Sequence, residues 1–379
     1  MLTRQVLRDL ARAEPGRLVV SVYARTDPRD PANTSSSPAW LIAARNALRA
    51  ISERLEGSGD RDARLAFRAL RKRVEDELVL LPPGGRARSV VWILDEGGSS
   101  TRFSLRLPLR RDRVVLDAKP FVSPLVDIAD RGAPTGVILV GGELVRLVQI
   151  EQGEATEPEN ASFGLALGDW RPYGGTAGGS PARGLLKTSH EEHYRARVQA
   201  QRERMFETAA KEAARRMVEL GWERIVLACE RQIAARFRDA LPAVVRERLI
   251  SDADINLVGE ETAAVADAVE PVIEESWSQR TAELIALAYE RAQAGGAATI
   301  GAEETLAALA EGRVKRLILD PDLSYAAARV PPSIGGPPEL LGERAVETAV
   351  SSSAAVSVVD ASASPALRDA GGMVALLRY

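Results

Sequence analysis

The chain has 379 residues, of which 45% are hydrophobic and 27% charged, and these proportions exclude wholesale disorder. Its length favours two or three domains, and its single cysteine, Cys229, excludes an internal disulfide framework. The formal net charge of −3 confines any RNA-binding surface to a local patch, and the lack of an 18-residue apolar run or leader-like segment predicts a cytoplasmic protein without membrane contact.

Residues 1–133 are predicted to form a first domain with both helices and strands. Apolar spacing predicts helices over 1–13, 40–55 and 63–80. Runs of β-branched residues predict strands over 17–24, 89–94, 101–107 and 114–116. The domain ends in the loop around residues 130–134, which contains glycine and proline.

Residues 134–260 are predicted to form a second domain around a hairpin. Strands over 135–140 and 144–151 are joined at Gly141 and Gly142, a pair typical of a tight turn. The later elements alternate: a helix over 189–220, a strand over 224–229, a helix over 232–241 and a strand over 248–250. Such alternation favours a mixed sheet with helices packed on it.

Residues 261–379 are predicted to form a third α/β domain. A long helix over 262–294 is closed by Gly295 and Gly296, a common helix stop. The remaining predicted elements are helices over 302–310 and 340–351 and strands over 312–320, 355–359 and 373–379. The apolar end of the chain predicts a terminus docked into a sheet.

The segment from Gly174 to Gly184 is the most distinctive part of the sequence, because five of its eleven residues are glycine. Glycine allows positive φ and close approach to a partner, but ordering it costs more conformational entropy than ordering any other residue. We therefore expect this loop to be either a mobile connector or a segment that becomes ordered on a partner.

The helix that follows the loop combines an apolar stripe with a local excess of positive charge. Ser189 and Glu192 form a capping-box pattern, which predicts that the helix begins near Ser189. The predicted inward stripe is Tyr194, Val198, Met205, Ala209 and Met217. The segment from residue 183 to residue 204 contains six basic residues and three acidic ones. This excess suits phosphate contacts, although a solvated helix face also explains the charges and is preferred on the residues alone.

Four features follow one another in the middle of the chain: the hairpin over 137–150, the glycine-rich loop, a basic helix with His193-Tyr194-Arg195, and the strand over 225–228. In this order they resemble the middle domain of the class-one release factors of archaea and eukaryotes. Residues 301–319 resemble the start of their third domain, which is shared with Pelota. The segments 20–23 and 374–379 are similar to the bacterial branch of this superfamily, which includes Vms-like peptidyl-tRNA hydrolases and Balon-like ribosome hibernation factors.

The resemblance implies an α/β fold of three domains, each a mixed sheet with packed helices. The first would be divergent, the middle RNase H-like and the third ribosomal-protein-like. It implies the ribosome as partner, through rRNA and tRNA, with a translational GTPase contacting the third domain, and it implies neither DNA nor a cofactor. The implied RNA-binding residues are Arg183, Lys187, Arg195, Arg197 and Arg202.

The resemblance also gives the glycine-rich loop a role. In release factors the equivalent loop carries Gly-Gly-Gln, which assists hydrolysis of peptidyl-tRNA, whereas this chain has Gly178-Gly179-Ser180. A serine hydroxyl is shorter than a glutamine amide, and Pro181 removes the next N–H donor. Backbone donors can still stabilise an oxyanion, so hydrolysis stays open. A non-hydrolytic A-site factor for hibernation or ribosome protection is the first hypothesis, and a peptidyl-tRNA hydrolase acting on stalled ribosomes is the alternative.

Other chemistry is weakly supported by the sequence. His190 and His193 are the only histidines, and no third metal ligand is placed near them, so no metal site is predicted. The strand over 137–140 carries no carboxylate, which argues against two-metal nuclease chemistry. Cys229, on an apolar strand, is expected to be a small buried side chain.

Overall fold

The computed structural model describes residues 2–80, 87–165, 181–325 and 329–379, with the backbone alone for residues 181–192 and Asp252. Gly178, Gly179 and Ser180 lie outside the described residues. In the first 131 residues the elements are α1 (Arg4–Ala11), β1 (Val19–Ala24), α2 (Ala39–Ser58), α3 (Arg61–Val79), β2 (Ser89–Asp95), β3 (Ser100–Leu105), β4 (Arg113–Asp117) and α4 (Ser123–Arg131).

The middle of the chain contains the longest helix. Its elements are β5 (Thr135–Val140), β6 (Leu144–Glu151), β7 (Glu154–Thr156), β8 (Ser162–Gly164), α5 (Pro181–Glu219), β9 (Arg224–Cys229), α6 (Arg231–Ala240), α7 (Ala243–Arg246) and β10 (Leu249–Ala253).

The last third begins with a helix of 32 residues. Its elements are α8 (Thr262–Gln293), β11 (Ala298–Ile300), α9 (Ala302–Ala310), β12 (Val314–Leu319), α10 (Leu341–Ser351), β13 (Ala355–Val358), α11 (Pro365–Asp369) and β14 (Met373–Leu377).

The chain divides into two compact units. Unit 1 combines residues 1–131 with residues 277–379, and unit 2 comprises residues 132–276. Helix α8 contributes to both, since residues up to Ser276 belong to unit 2 and those from Trp277 onward to unit 1. The three domains with boundaries after residues 133 and 260 stay a prediction.

Unit 1 contains two four-stranded sheets. The first has the order β3-β2-β1-β4 and is antiparallel throughout, and the second has the order β11-β14-β12-β13 with one parallel pair, β12 with β13. Helices α2 and α3 cover one face of the first sheet through Trp40, Leu48 and Leu70. The last strand, β14, lies between β11 and β12, as expected for a docked terminus.

A single apolar core joins the two sheets of unit 1. It includes Tyr23 and Phe103 from the first sheet and Leu317 and Met373 from the second. A buried carboxylate reinforces this junction, because Glu343 of α10 accepts hydrogen bonds from the N–H groups of Val122 and Ser123 at the start of α4. Burial raises the pKa of Glu343 to about 7, although these hydrogen bonds oppose the rise.

Unit 2 is one mixed sheet between two layers of helix. Its main strand order is β10-β9-β5-β6-β7, with β5, β9 and β10 parallel and β6 antiparallel to β5, which is an RNase H-like arrangement. Because successive side chains of a strand point to opposite faces, β5 supplies Ile138 to one face and Leu139 to the other. Helices α5, α6 and α7 cover the first face, and the part of α8 in unit 2 covers the second.

The observed elements confirm the α/β class and most predicted helices and strands. Three short helices, α4, α7 and α11, were not predicted. Proline lies in the first turn of α4 and α11, at Pro124 and Pro365, and at the N-cap of α7, at Pro242. Proline reads as a loop signal in a sequence, yet it is favoured at the first helical position because its missing N–H has no partner in the helix there.

Gly136 of β5 is required by the packing of Trp222. A Cβ atom built on Gly136 overlaps the fully buried Trp222 ring. We expect Gly136→Ala to destabilise the protein by about 2–3 kcal/mol, the usual cost of overpacking a dense core. Thermal unfolding followed by circular dichroism checks this, with a fall in Tm of about 5–10 °C expected.

Gly164→Ala in β8 is the matched control, because a Cβ atom there meets no other atom within 4 Å. Equal Tm values for the two variants would contradict the role of Gly136.

Candidate functional site

Helix α5 is anchored to unit 2 by its carboxyl-terminal half. Met205, Phe206, Ala209, Ala213 and Met217 are buried against the sheet. Their spacing of three and four residues places them on one face, so the predicted inward stripe is confirmed over residues 205–217. Further along the helix, Arg215 and Arg216 form ion pairs with Glu212, which lower the pKa of its carboxyl group.

The amino-terminal half of α5 continues beyond this packed region. Residues 193–204 are exposed or half-buried, and none is buried. The helix begins at Pro181, 24 residues before Met205, so at 1.5 Å per residue its first turn lies about 36 Å along the helix axis from the packed half. The start of α5 therefore lies far from the packed half of the helix.

The helix leaves the sheet at a defined point. Strands β5, β9 and β10 are parallel, and their carboxyl ends, at Val140, Cys229 and Ala253, form what we call the carboxyl edge. Directly after β5, the carbonyl of Gly142 accepts a hydrogen bond of 2.8 Å from Nε of Arg202. Arg202 thus ties α5 to the β5–β6 turn at this edge.

The predicted RNA-binding residues do not have equivalent surroundings. Arg195 and Arg197 are exposed, whereas Arg202 is half-buried and engaged with the turn. Arg183 and Lys187 lie in the first two turns of α5, and their side chains are outside the described part of the chain. The structural role of Arg202 has no signal in the sequence, because it depends on a contact 60 residues away.

The predicted start of α5 near Ser189 is wrong. The helix begins at Pro181 and passes through Ser189 without interruption, so Ser189 and Glu192 are interior residues of the helix. Proline is compatible with the first helical position. The helix also includes Gly184, whose unfavourable helix propensity of about 1 kcal/mol relative to alanine is overridden here.

The carboxyl edge also carries two acidic residues. Glu230 follows β9 and accepts a hydrogen bond from Nδ2 of Asn256 at 3.3 Å, and Asp254 follows β10 and accepts one from the N–H of Arg231 at 3.0 Å. Across the described ranges, no three His, Cys, Asp or Glu residues gather as a potential metal site.

Cys229, which ends β9, is buried, as the sequence predicts. Burial raises the pKa of its thiol to about 11, so the thiol is protonated at neutral pH and is a poor nucleophile.

A separate cavity of about 300 Å³ lies in unit 1, beside α10. Its charged lining residues are Lys119, Arg344 and Glu347. These charges are largely satisfied within the protein, because Glu347 pairs with both cations and Arg344 also pairs with Asp117. The cavity therefore presents little net charge to a ligand.

The strand order and the long helix define unit 2 as an RNase H-like α/β domain. Residues 120–274 match the sequence model of bacterial archaeo-eukaryotic release factor family 10. The match includes all of unit 2 except its last two residues. It confirms the resemblance to the bacterial branch of the archaeal and eukaryotic release factor and Pelota superfamily.

Several solved structures are similar to the chain at low sequence identity. The archaeal translation termination factor aRF1 is 19% identical over 99% of this chain and 96% of its own, with a TM-score of 0.26. A model of ribosome-bound archaeal Pelota and ABCE1 is 14% identical over 100% and 94%, with a TM-score of 0.43. The translation termination-like factor Dom34 of S. cerevisiae is 9% identical over 79% and 76%, with a TM-score of 0.39.

No curated protein sequence is significantly similar to the chain. Among the helices of the described residues, none combines the length and apolar character needed to cross a membrane.

The contact between Arg202 and Gly142 yields a prediction about the amino-terminal half of α5. Arg202→Ala removes the hydrogen bond at the carboxyl edge, worth about 1 kcal/mol for a partly exposed pair. We expect amide hydrogens of residues 193–204 to exchange about fivefold faster in this variant, as measured by hydrogen–deuterium exchange. Arg204→Ala is the matched control, since Arg204 is exposed on the same helix. Unchanged exchange in Arg202→Ala would contradict the anchoring role.

Proposed function

We propose that this protein is a ribosome-binding translation factor that enters the A site and protects or hibernates idle ribosomes without hydrolysing peptidyl-tRNA. The observation that carries the proposal is the release-factor family match over residues 120–274, which spans the hairpin, the glycine-rich loop and helix α5. A ribosomal role places the protein in the cytoplasm.

The geometry of α5 supports delivery of the loop to a narrow site. Gly178, Gly179 and Ser180 immediately precede Pro181, the first residue of a helix, which lies about 36 Å along the helix axis from the packed half. A helix is a stiff carrier, so the loop can reach a recessed site while unit 2 stays outside it. In our proposal that site is the peptidyl-transferase centre.

The absence of hydrolysis is proposed from the chemistry of Ser180 and Pro181. A positioned water and oxyanion donors are needed to cleave the ester. Serine stands where the catalytic loops of release factors have glutamine, and its hydroxyl reaches about two bonds less far. Pro181 starts the helix and has no N–H to offer.

A peptidyl-tRNA hydrolase is the second candidate, and one feature favours it. The first N–H groups of a helix have no partner within it, and they carry the positive end of the helix dipole. The start of α5 at Pro181 places this end directly after Ser180. Such donors favour anions, including the oxyanion of ester cleavage.

The proposed partners are rRNA and tRNA, contacted through the basic residues of α5. Among these, Arg195 and Arg197 are exposed and Arg202 serves mainly as an anchor. A translational GTPase is the further partner that we propose for the residues around 301–319, on the basis of their resemblance to the third domain of release factors.

Ribosome binding is tested by co-sedimentation of the full chain with purified ribosomes across a salt series. Arg195→Ala combined with Arg197→Ala is expected to weaken binding about tenfold. The slope of log affinity against log salt should fall by about 1.4, because two phosphate contacts are lost.

Arg280→Ala combined with Arg291→Ala is the matched control, since it removes the same charge from exposed positions of α8. Equal losses in the two double variants would contradict a specific role for α5, and no binding by the unmodified chain would overturn the proposed function.

Hydrolysis is tested by peptide release from ribosomes that carry labelled peptidyl-tRNA. We expect the unmodified protein to release no peptide above background, because the loop lacks the glutamine and the following N–H. Release that is abolished by Gly178→Ala with Gly179→Ala, but kept by Gly174→Ala with Gly175→Ala, would establish the hydrolase instead.

A further inference from the structure

Helix α3 in unit 1 carries a second row of positive charge. Arg61, Arg64, Arg68 and Lys72 recur at intervals of three and four residues, so they lie on one face of the helix. All four side chains are exposed. The opposing apolar residues Phe67, Leu70, Val74 and Leu78 are buried against the first sheet. We call the four cations the α3 row.

Within the described ranges, the α3 row has no partner inside the protein. Among the described residues, none of its four side chains makes an ion pair or a hydrogen bond. The neighbouring cations behave differently, because Arg71 pairs with Glu75 at 2.8 Å and Arg73 donates to the carbonyls of Asp95 and Gly98. Helix α3 thus carries two kinds of cation: Arg71 and Arg73 bind other parts of the protein, whereas the α3 row has no partner among the described residues.

The helix dipole does not account for the α3 row. Cations are disfavoured at the amino-terminal end of a helix. Arg61 lies in the first turn of α3, where Asp60 at the N-cap and Asp62 supply the negative charge that this end favours. The dipole therefore gives no reason for cations at Arg61 and Arg64.

We propose that the α3 row binds the phosphate backbone of RNA, as a second contact separate from α5. The row extends about 17 Å along the helix axis at 1.5 Å per residue, so one small anion touches only part of it, whereas a polynucleotide backbone meets all of it. Three of its four members are arginines, whose planar fork matches phosphate oxygens. The choice of RNA over DNA rests on the proposed function.

The surroundings of the row fit a polyanion better than a membrane. Of the residues between Arg61 and Lys72, Leu65 is the exposed large apolar side chain, at 50% of its surface. Interfacial helices instead bury a continuous apolar face in the lipid, and the apolar face of α3 is already packed on the sheet.

The test uses the full chain and a fluorescein-labelled RNA duplex of 20 base pairs, with binding measured by fluorescence anisotropy across a salt series. Arg64→Ala combined with Arg68→Ala is expected to weaken binding about tenfold and to lower the slope of log affinity against log salt by about 1.8. Its Tm should be unchanged, since both side chains are exposed and neither makes an ion pair or a hydrogen bond with another described residue. Arg280→Ala with Arg291→Ala serves again as the charge-matched control.

Binding that is unchanged in the α3 variant, or reduced as much in the control, would overturn the proposal. Vesicles containing phosphatidylserine and a DNA duplex of the same sequence are run in parallel. A loss confined to vesicle binding, or a loss for DNA without one for RNA, would also overturn it. This experiment tests the α3 row separately from the proposed function. The proposed function is tested by co-sedimentation of the unmodified chain and the α5 variant with ribosomes, and that measurement does not involve the α3 variant.

Discussion

The packing of the carboxyl-terminal half of α5 on the sheet of unit 2 is the interaction on which the proposed site depends. Burial of Met205, Phe206 and Met217 fixes that half of the helix, with about 1.5–3 kcal/mol available from each large apolar side chain. The hydrogen bond from Nε of Arg202 to the carbonyl of Gly142 then fixes where the helix leaves the sheet. The part of α5 beyond that point, from Pro181 to Gln201, is a single continuous helix.

Much of unit 2 could be predicted from the sequence because its signals are local. The β5–β6 hairpin follows from two apolar runs joined at Gly141 and Gly142, and the buried stripe of α5 follows from helical spacing. The start of α5 could not be predicted in the same way, because the local capping signal at Ser189 competes with a proline start eight residues earlier. The anchoring role of Arg202 depends on a tertiary contact and leaves no local signal.

The sequence also could not predict which segments of the chain form unit 1, for a related reason. Its two sheets come from opposite ends of the chain and share one core, and Glu343 bonds to Ser123 across 220 residues. Hydrophobic periodicity predicts helices and strands, but it does not predict which distant segments pack together. The α3 row shows the converse case. Its spacing can be read from the sequence, whereas its lack of partners among the residues that the structure describes is known only from the structure.

In the proposed function, the α3 row and the basic residues of α5 contact a large, negatively charged partner, and α5 carries the glycine-rich loop to a deep site inside it. A cryo-EM map of the protein bound to ribosomes tests this most directly, since it locates α5. We predict that the amino-terminal end of α5 lies in the A site, with Ser180 close to the 3′ end of the P-site tRNA and the ester bond intact. A map with α5 outside the A site, or with Ser180 far from the peptidyl-transferase centre, would contradict it.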